Sequence, residues 1–387
     1  MYALLSIFII LPLIYSHTFA RLGEDFIIDN GIGNFESVKV SLFLFLICLS
    51  TLELIITKVE FLSRKTLLIS AGLIAAIVLT YLNFGPESIF GIGEKQHGIL
   101  FFVALLWFGY LLTSIERSYF PLFQKSIVIT ALFVASIAFT EYLISYNPFV
   151  GFGVIEGQSW GSGRATATLG NPNYVAGYLL MILPLLKASK NIWIRYGGSL
   201  LLILGILSTG SYIGIVLCGL YFLFLTIKQY SKKNALGIFL ILMGVLLLLL
   251  SQMVAGSEKW LSFISRFILM KETLIGATDN IFYFLIGHGP NGIIDFYNGE
   301  RSLEVNRFFP SNMTIDSSHN LLIDLLYKFG ILSILAIYLA IKKVSQKIPS
   351  ESIYMLILGI SFFSLNVTIV AAYILMVFAL VQKSEKG

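Results

Sequence analysis

Charge is what this chain has least of. Only 12% of its 387 residues are Asp, Glu, Lys or Arg, and 57% are hydrophobic. A soluble globular chain averages about 25% charged residues. A soluble domain of this length has no room to hide so much apolar surface, so a water-soluble fold is excluded. Cysteine is nearly absent too. Cys48 and Cys218 both fall inside apolar runs and read as small buried hydrophobes, which excludes a disulfide framework or a cysteine metal site. His17, His97 and His288 have no metal-ligand spacing among them. The alternating ten-residue segments of a transmembrane β-barrel are missing. So are internal repeats, low-complexity tracts and a separate soluble domain. The net charge of +5 forms no basic stripe, so no nucleic-acid partner is expected. Met1–Ala20 ends Thr18-Phe19-Ala20 but has no basic region at its start, so a retained first span is expected there, not a signal peptide.

What is present is a series of apolar runs, near 2–19, 38–57, 66–84, 98–114, 125–145, 173–187, 191–208, 211–228, 234–254, 319–341, 351–366 and 367–383. A helix of about 20 apolar residues crosses the hydrocarbon of a bilayer. The reading is an all-α polytopic membrane protein of about twelve transmembrane helices. Orientation follows from Lys and Arg, which favour short cytoplasmic loops. With the N-terminus inside, those loops carry Lys58, Arg64 and Lys65; Arg117; Lys187, Lys190 and Arg195; Lys228, Lys232 and Lys233; Lys342, Lys343 and Lys347; and Lys383 with Lys386. The opposite side receives most of the acids, so both termini are expected in the cytoplasm. Two outside segments are long, 146–172 and 255–318. Within the second, Trp260–Ile275 has apolar residues at helical spacing and suits an amphipathic helix at the interface.

The outside segment 255–318 ends Asp316-Ser317-Ser318-His319-Asn320, directly before the tenth run. Ser317 or Ser318 is a plausible N-cap, which puts His319 in the first helical turn. There the helix dipole disfavours imidazolium, and a neutral imidazole can act as a general base. The alternative is an interfacial polar residue bonded to a loop. Arg164, Arg266, Arg301 and Arg307 stand on the same outside face with Lys259 and Lys271. Arginine clamps phosphates through paired hydrogen bonds, although these side chains could equally pair with Glu258, Glu272, Glu300 and Glu304. Inside the membrane, Asp324 and Lys328 lie four apart, acid first, and are expected to pair. Glu53 and Glu141 are further intramembrane acids, open to a proton or ion pathway. Gly287-His288-Gly289-Pro290 reads as a tight turn.

Four stretches together resemble the bacterial O-antigen ligase and O-antigen polymerase superfamily. They are Gly163-Arg164 with Thr168-Leu169-Gly170-Asn171-Pro172-Asn173-Tyr174-Val175-Ala176; Leu207-Ser208-Thr209-Gly210-Ser211; Ile286-Gly287-His288-Gly289-Pro290; and Ser318-His319-Asn320-Leu321-Leu322 followed by Gly330. The resemblance covers most of the chain in order. It implies a type C glycosyltransferase-like fold, with 1–387 as one integral membrane domain and 255–318 as a large periplasmic loop in it. It also implies location in the bacterial inner membrane and a polyprenyl-pyrophosphate-linked glycan donor used without metal or other cofactor. Glycan transfer to an acceptor hydroxyl is expected at the periplasmic face, with lipid A core as the acceptor for a ligase. The base role falls on His319, supported by Asn320 and Asp316. Pyrophosphate binding falls on Arg164 and Arg266, with Arg301 and Arg307 as further candidates. Asn171 and Asn173 of the first stretch are taken as supporting residues.

Two positions depart from the family pattern. Tyr212 follows the Thr-Gly-Ser motif where an arginine is common, and Lys328 stands where an acid is frequent. Two alternatives share the donor: an O-antigen polymerase, and a protein (pilin) O-glycan ligase. A lipid-linked glycan transporter or flippase is the rival from another class, resting on Glu53, Glu141 and the Asp324–Lys328 pair.

Overall fold

The structure is a computed structural model. It describes residues 2–13, 35–57, 63–91, 98–144, 164–169, 171–187, 191–229, 257–299, 301–309 and 315–345. The expected runs 234–254, 351–366 and 367–383 lie outside the described residues, as do residues 145–163, His17 and His97. The other nine runs all fall on helices, and the described residues contain no strand. Among the described residues, three helices are long and apolar enough to cross a membrane: Lys39–Thr57, Arg64–Phe84 and Pro121–Ile144. The described residues gather into two compact units that divide at Ser211 and Tyr212.

The first unit contains α1 (Tyr2–Leu13), α2 (Phe35–Thr57), α3 (Arg64–Phe84), the short α4 (Glu87–Phe90), α5 (Ile99–Ser114), α6 (Phe120–Ile144) and α7 (Pro172–Lys187). It ends with α8 (Trp193–Ser208), whose first six residues are wound as a π-helix. An aromatic cluster ties four of these helices together. Phe8 of α1 packs against Phe108 of α5 at 5.7 Å and Phe123 of α6 at 5.9 Å, and Phe43 of α2 packs against Phe108 at 5.5 Å. Polar side chains link helices at the edges. Trp107 donates to Thr51 at 2.8 Å, and Thr66 and Tyr110 share a hydrogen bond of 2.7 Å. Gly205 of α8 abuts Ala135 of α6, the small-residue contact by which membrane helices approach closely. In contrast α3 leaves Leu67, Leu68, Ile74, Leu79 and Leu82 exposed. Such a stripe is a liability in water and costs nothing against lipid tails.

The second unit contains α9 (Tyr212–Gln229), α10 (Ser257–Thr278), α11 (Ile281–Ile286), α12 (Gly292–Asn298), α13 (Leu303–Phe308) and α14 (Leu321–Ser345). The amphipathic helix expected over 260–275 is α10. Its buried face, with Leu269 and Ala277, packs in a cluster with Ile293, Tyr297, Val305, Ile315 and Tyr327. Asn280 and Ser302 cap α11 and α13 by accepting backbone N–H groups at 2.8 and 3.2 Å.

Gly330 breaks α14 with φ +70°. A break frees carbonyls, which must find donors wherever water is scarce. Here they do. His288 N donates to Tyr327 O at 2.8 Å, Gly289 N to Lys328 O at 3.0 Å, and the Ser333 hydroxyl to Leu325 O and Gly330 O at 3.1 and 2.7 Å. The Gly287-His288-Gly289 turn is therefore docked onto the kink. A Cβ on Gly330 would overlap the Leu285 carbonyl, and one on Gly287 would overlap the Lys328 carbonyl.

Gly330→Ala therefore combines left-handed strain of about 1–2 kcal/mol with a backbone clash. Gly85, with φ +77°, has nothing within 4 Å of its missing Cβ, so Gly85→Ala carries the strain alone. Thermal unfolding in detergent is expected to show the larger loss for Gly330→Ala. Equal losses would contradict the docked kink.

Candidate functional site

In the first unit the site is built on the carboxylate of Glu141, three residues before the end of α6 and 9% exposed. Its oxygens accept Thr166 N at 2.9 Å, Ala167 N at 2.7 Å and the Thr166 hydroxyl at 3.1 Å. Ala167 sits at φ +44°, a left-handed position that these bonds help to hold. Further along the same loop, Thr168 donates to the Pro12 carbonyl at 2.5 Å, and Lys39, buried at 1% exposure, reaches the Thr168 carbonyl at 3.5 Å. The loop therefore carries Arg164 in a defined place.

Arg164 lies across the turn between α8 and α9. Its Nε donates to Thr209 O at 3.0 Å, and its terminal nitrogen reaches Asn173 Oδ1 at 3.5 Å. Asn173 Oδ1 also accepts the Ser211 hydroxyl at 2.8 Å. The adjacent backbone bond runs from Ala165 N to Ser208 O at 3.0 Å. Gly210, at φ +56°, leaves room for the arginine stem, which a Cβ there would meet at 3.3 Å. Asn171 caps α7, its side chain accepting Asn173 N at 2.9 Å and its carbonyl accepting Tyr174 N and Val175 N. The two motif stretches on either side of α7 and α8 thus meet around Arg164, Asn173 and Ser211.

In the second unit the corresponding anchor is Asp324, 4% exposed in the first turn of α14. It accepts the Ser317 hydroxyl at 2.8 Å, the Ser318 hydroxyl at 2.6 Å and Ser318 N at 2.7 Å. Lys328, one turn on and also buried, stabilises the carboxylate electrostatically. The Ser317 and Ser318 hydroxyls accept His319 N and Asn320 N, amides that precede the helix, so the expected Ser317 or Ser318 cap is corrected. Asn320 caps α14, its Oδ1 accepting Leu322 N at 3.0 Å and Ile323 N at 3.2 Å. His319 consequently lies before the helix, not in its first turn. It is exposed, at φ +63°, with its N–H donated to the Ser317 hydroxyl at 3.0 Å. Asp316 is half-buried on the same approach to the helix.

The remaining candidates are dispersed over the second unit. Arg266 is half-buried on α10, and Arg307 is exposed on α13. Arg301 donates from Nε to Tyr297 O at 2.5 Å and so closes the end of α12. Lys271 pairs with Glu304 at 3.2 Å across the surface, a contact worth about 0–1 kcal/mol. Glu258, Lys259 and Glu300 have no described side chains. Among the described residues, no three His, Cys, Asp or Glu side chains cluster as a metal site requires.

His288 serves the scaffold. Its ring is stacked between Tyr283 and Tyr327, both at 4.2 Å, and its Nε2 lies 3.3 Å from Gly276 O. Burial pulls its pKa below the ordinary value. Nearby, burial pushes the Tyr297 hydroxyl up to about 12, and that hydroxyl donates to Leu269 O at 3.0 Å.

Two measurements check these assignments. Glu141→Ala leaves two backbone amides and a hydroxyl without their acceptor, at about 1–3 kcal/mol for each buried group. Amide hydrogen exchange is expected to accelerate at Thr166 and Ala167, and unchanged protection there would refute the anchor. For His288, the unfolded chain binds a proton more readily than the folded one. Its contribution is present above the unfolded pKa near 6.5 and is lost as pH falls from there through the lower folded pKa. His288→Phe keeps the stack and is expected to unfold with a weaker dependence on pH between 7 and 5. An unaltered pH dependence would exclude the buried neutral ring.

No protein-family model, curated protein or solved structure matches this chain.

Proposed function

We propose that the chain transfers a glycan from a polyprenyl-pyrophosphate carrier to an acceptor hydroxyl at the periplasmic face of a bacterial inner membrane, in the manner of an O-antigen ligase. The proposal includes about twelve spans, both termini in the cytoplasm, and 255–318 as a periplasmic segment of a single integral membrane domain. One observation supports it most. The first two of the four stretches that resemble the superfamily close on each other, and the third docks on the helix that the fourth opens. Arg164 and Asn173 meet Thr209 and Ser211, and Gly287-His288-Gly289 docks on Tyr327 and Lys328 just past the His319 hook. Motifs matched by chance have no reason to become hydrogen-bonded neighbours.

In this reading the candidates for holding the donor pyrophosphate, and stabilising it as it leaves, are Arg164 in the first unit and, in the second, Arg266, with Arg301 and Arg307 as further candidates. The apolar helices admit the polyprenyl tail from the bilayer. His319 takes the proton of the acceptor hydroxyl. The acceptor oxygen then bonds to the anomeric carbon as the bond from that carbon to the pyrophosphate oxygen breaks, with inversion. Asn320 and Asp316 flank the histidine. Lipid A core is the first acceptor to test, and a second donor molecule or a pilin peptide would mark a polymerase or a protein ligase.

The transporter reading relied on intramembrane acids as a pathway. Those acids are committed to backbone groups instead. Glu53 accepts Tyr2 N and Ala3 N at 3.3 and 3.4 Å, Glu141 holds the Arg164 loop, and Asp324 holds Ser317 and Ser318.

The test uses purified protein with polyprenyl-pyrophosphate glycan and the three acceptors. His319→Ala is expected to abolish transfer while the protein remains inserted and unfolds at the same temperature. Normal transfer by that variant would sink the role of His319.

A further inference from the structure

The geometry points to Asp324 as the positioning residue for His319, a role that rests on the transfer reading above. A carboxylate can only accept hydrogen bonds. The Ser317 hydroxyl donates to Asp324 at 2.8 Å and the Ser318 hydroxyl at 2.6 Å, with Asn320 O at 3.2 Å as a second acceptor for Ser318, and their lone pairs face other donors. Ser317 Oγ receives His319 N at 3.0 Å, and Ser318 Oγ receives Asn320 N at 3.3 Å. The amides on both sides of the His319 α-carbon are thus ordered by one buried charge acting through two hydroxyls.

The order matters because of where His319 sits. Its φ of +63° costs a non-glycine residue about 1–2 kcal/mol and persists only where surrounding bonds over-determine it. Asp324 is itself fixed. It belongs to α14, its own N–H is bonded to Asn320 O at 2.9 Å, and Lys328 balances its charge from the next turn. The hook from Ser317 to Asn320 is therefore referenced to a rigid helix, while the imidazole projects to the exposed side. Asp316 and Asn320, the orienting groups expected from the sequence, are neighbours along the chain. Asp324 has the geometry that sets the backbone of both Ser318 and His319.

Two variants separate positioning from mere stability. Asp324→Asn keeps the shape but replaces one acceptor oxygen with a donor that faces another donor. Ser317→Ala removes the hydroxyl between the carboxylate and His319 N and leaves Asp324 and Lys328 in place. In the purified full chain, kcat is expected to fall about tenfold to a hundredfold for Asp324→Asn. Ser317→Ala is expected to lower it roughly fivefold, with the donor KM unchanged in both. Independently of activity, carbethoxylation of His319 by diethylpyrocarbonate, read by mass spectrometry against His288, is expected to change rate in both variants. Unchanged labelling, or changed labelling with unchanged kcat, overturns the assignment. If Asp324→Asn fails to fold, Ser317→Ala decides alone. If the wild-type protein transfers no glycan, the transfer reading falls and the labelling still judges the positioning.

Discussion

Everything in this structure depends on a constraint of the apolar interior: a backbone N–H or C=O that leaves regular helix must find a partner inside the protein. An unpaired buried group costs on the order of 1–3 kcal/mol. The chain meets the constraint with carboxylates. Glu141 gathers the loop before α7, and Asp324 gathers the hook before α14. An acid that looks out of place in a hydrophobic run acts as fixed solvent for backbone that has no water. Its charge is balanced by hydrogen bonds, and at Asp324 also by Lys328.

The same constraint explains the glycines. Once Gly330 breaks α14, its carbonyls at Tyr327 and Lys328 need donors, and the turn at His288 and Gly289 delivers them. Two backbones can approach that closely only where neither carries a Cβ, at Gly287 and Gly330. His288 completes the joint by stacking between two tyrosines rather than by chemistry. Arg164 meets a similar geometry at Gly210, where the absence of a side chain lets its stem cross the turn. In both units a reactive-looking residue turns out to be framed by glycine, a cap and a buried acid.

Much of this was legible in order and little of it in space. The helix over 64–84 and the amphipathic helix over 257–278 follow from uninterrupted or periodic apolar spacing, which local sequence records well. The Asp324–Lys328 relation follows from a four-residue step on one helix face. The cap of α14 was misassigned because Ser317 and Ser318 have the side chains of good caps. Asn320 is as good a cap, and no local rule reveals that the helix begins only at Leu321, with both serines bonded to amides before it. Glu141 stood out as an intramembrane acid, but its role as a loop anchor did not, since its partners lie 25 and 26 residues away. Lys39 was likewise invisible, 129 residues from the carbonyl it reaches. The motif stretches were visible individually, and the closure of the first on the second needed the fold.

On the proposed reading the transfer takes place on the exposed side of these loops, with the acids beneath as part of the frame. A catalyst built this way needs no ion gradient, whereas a transporter running on its intramembrane acids does. The most direct measurement is glycan transfer in detergent micelles, where no gradient can exist. The account predicts that polyprenyl-pyrophosphate glycan and an acceptor yield glycosylated acceptor and free polyprenyl pyrophosphate there. It would be contradicted by no product in micelles together with gradient-driven movement of the lipid-linked glycan across proteoliposomes.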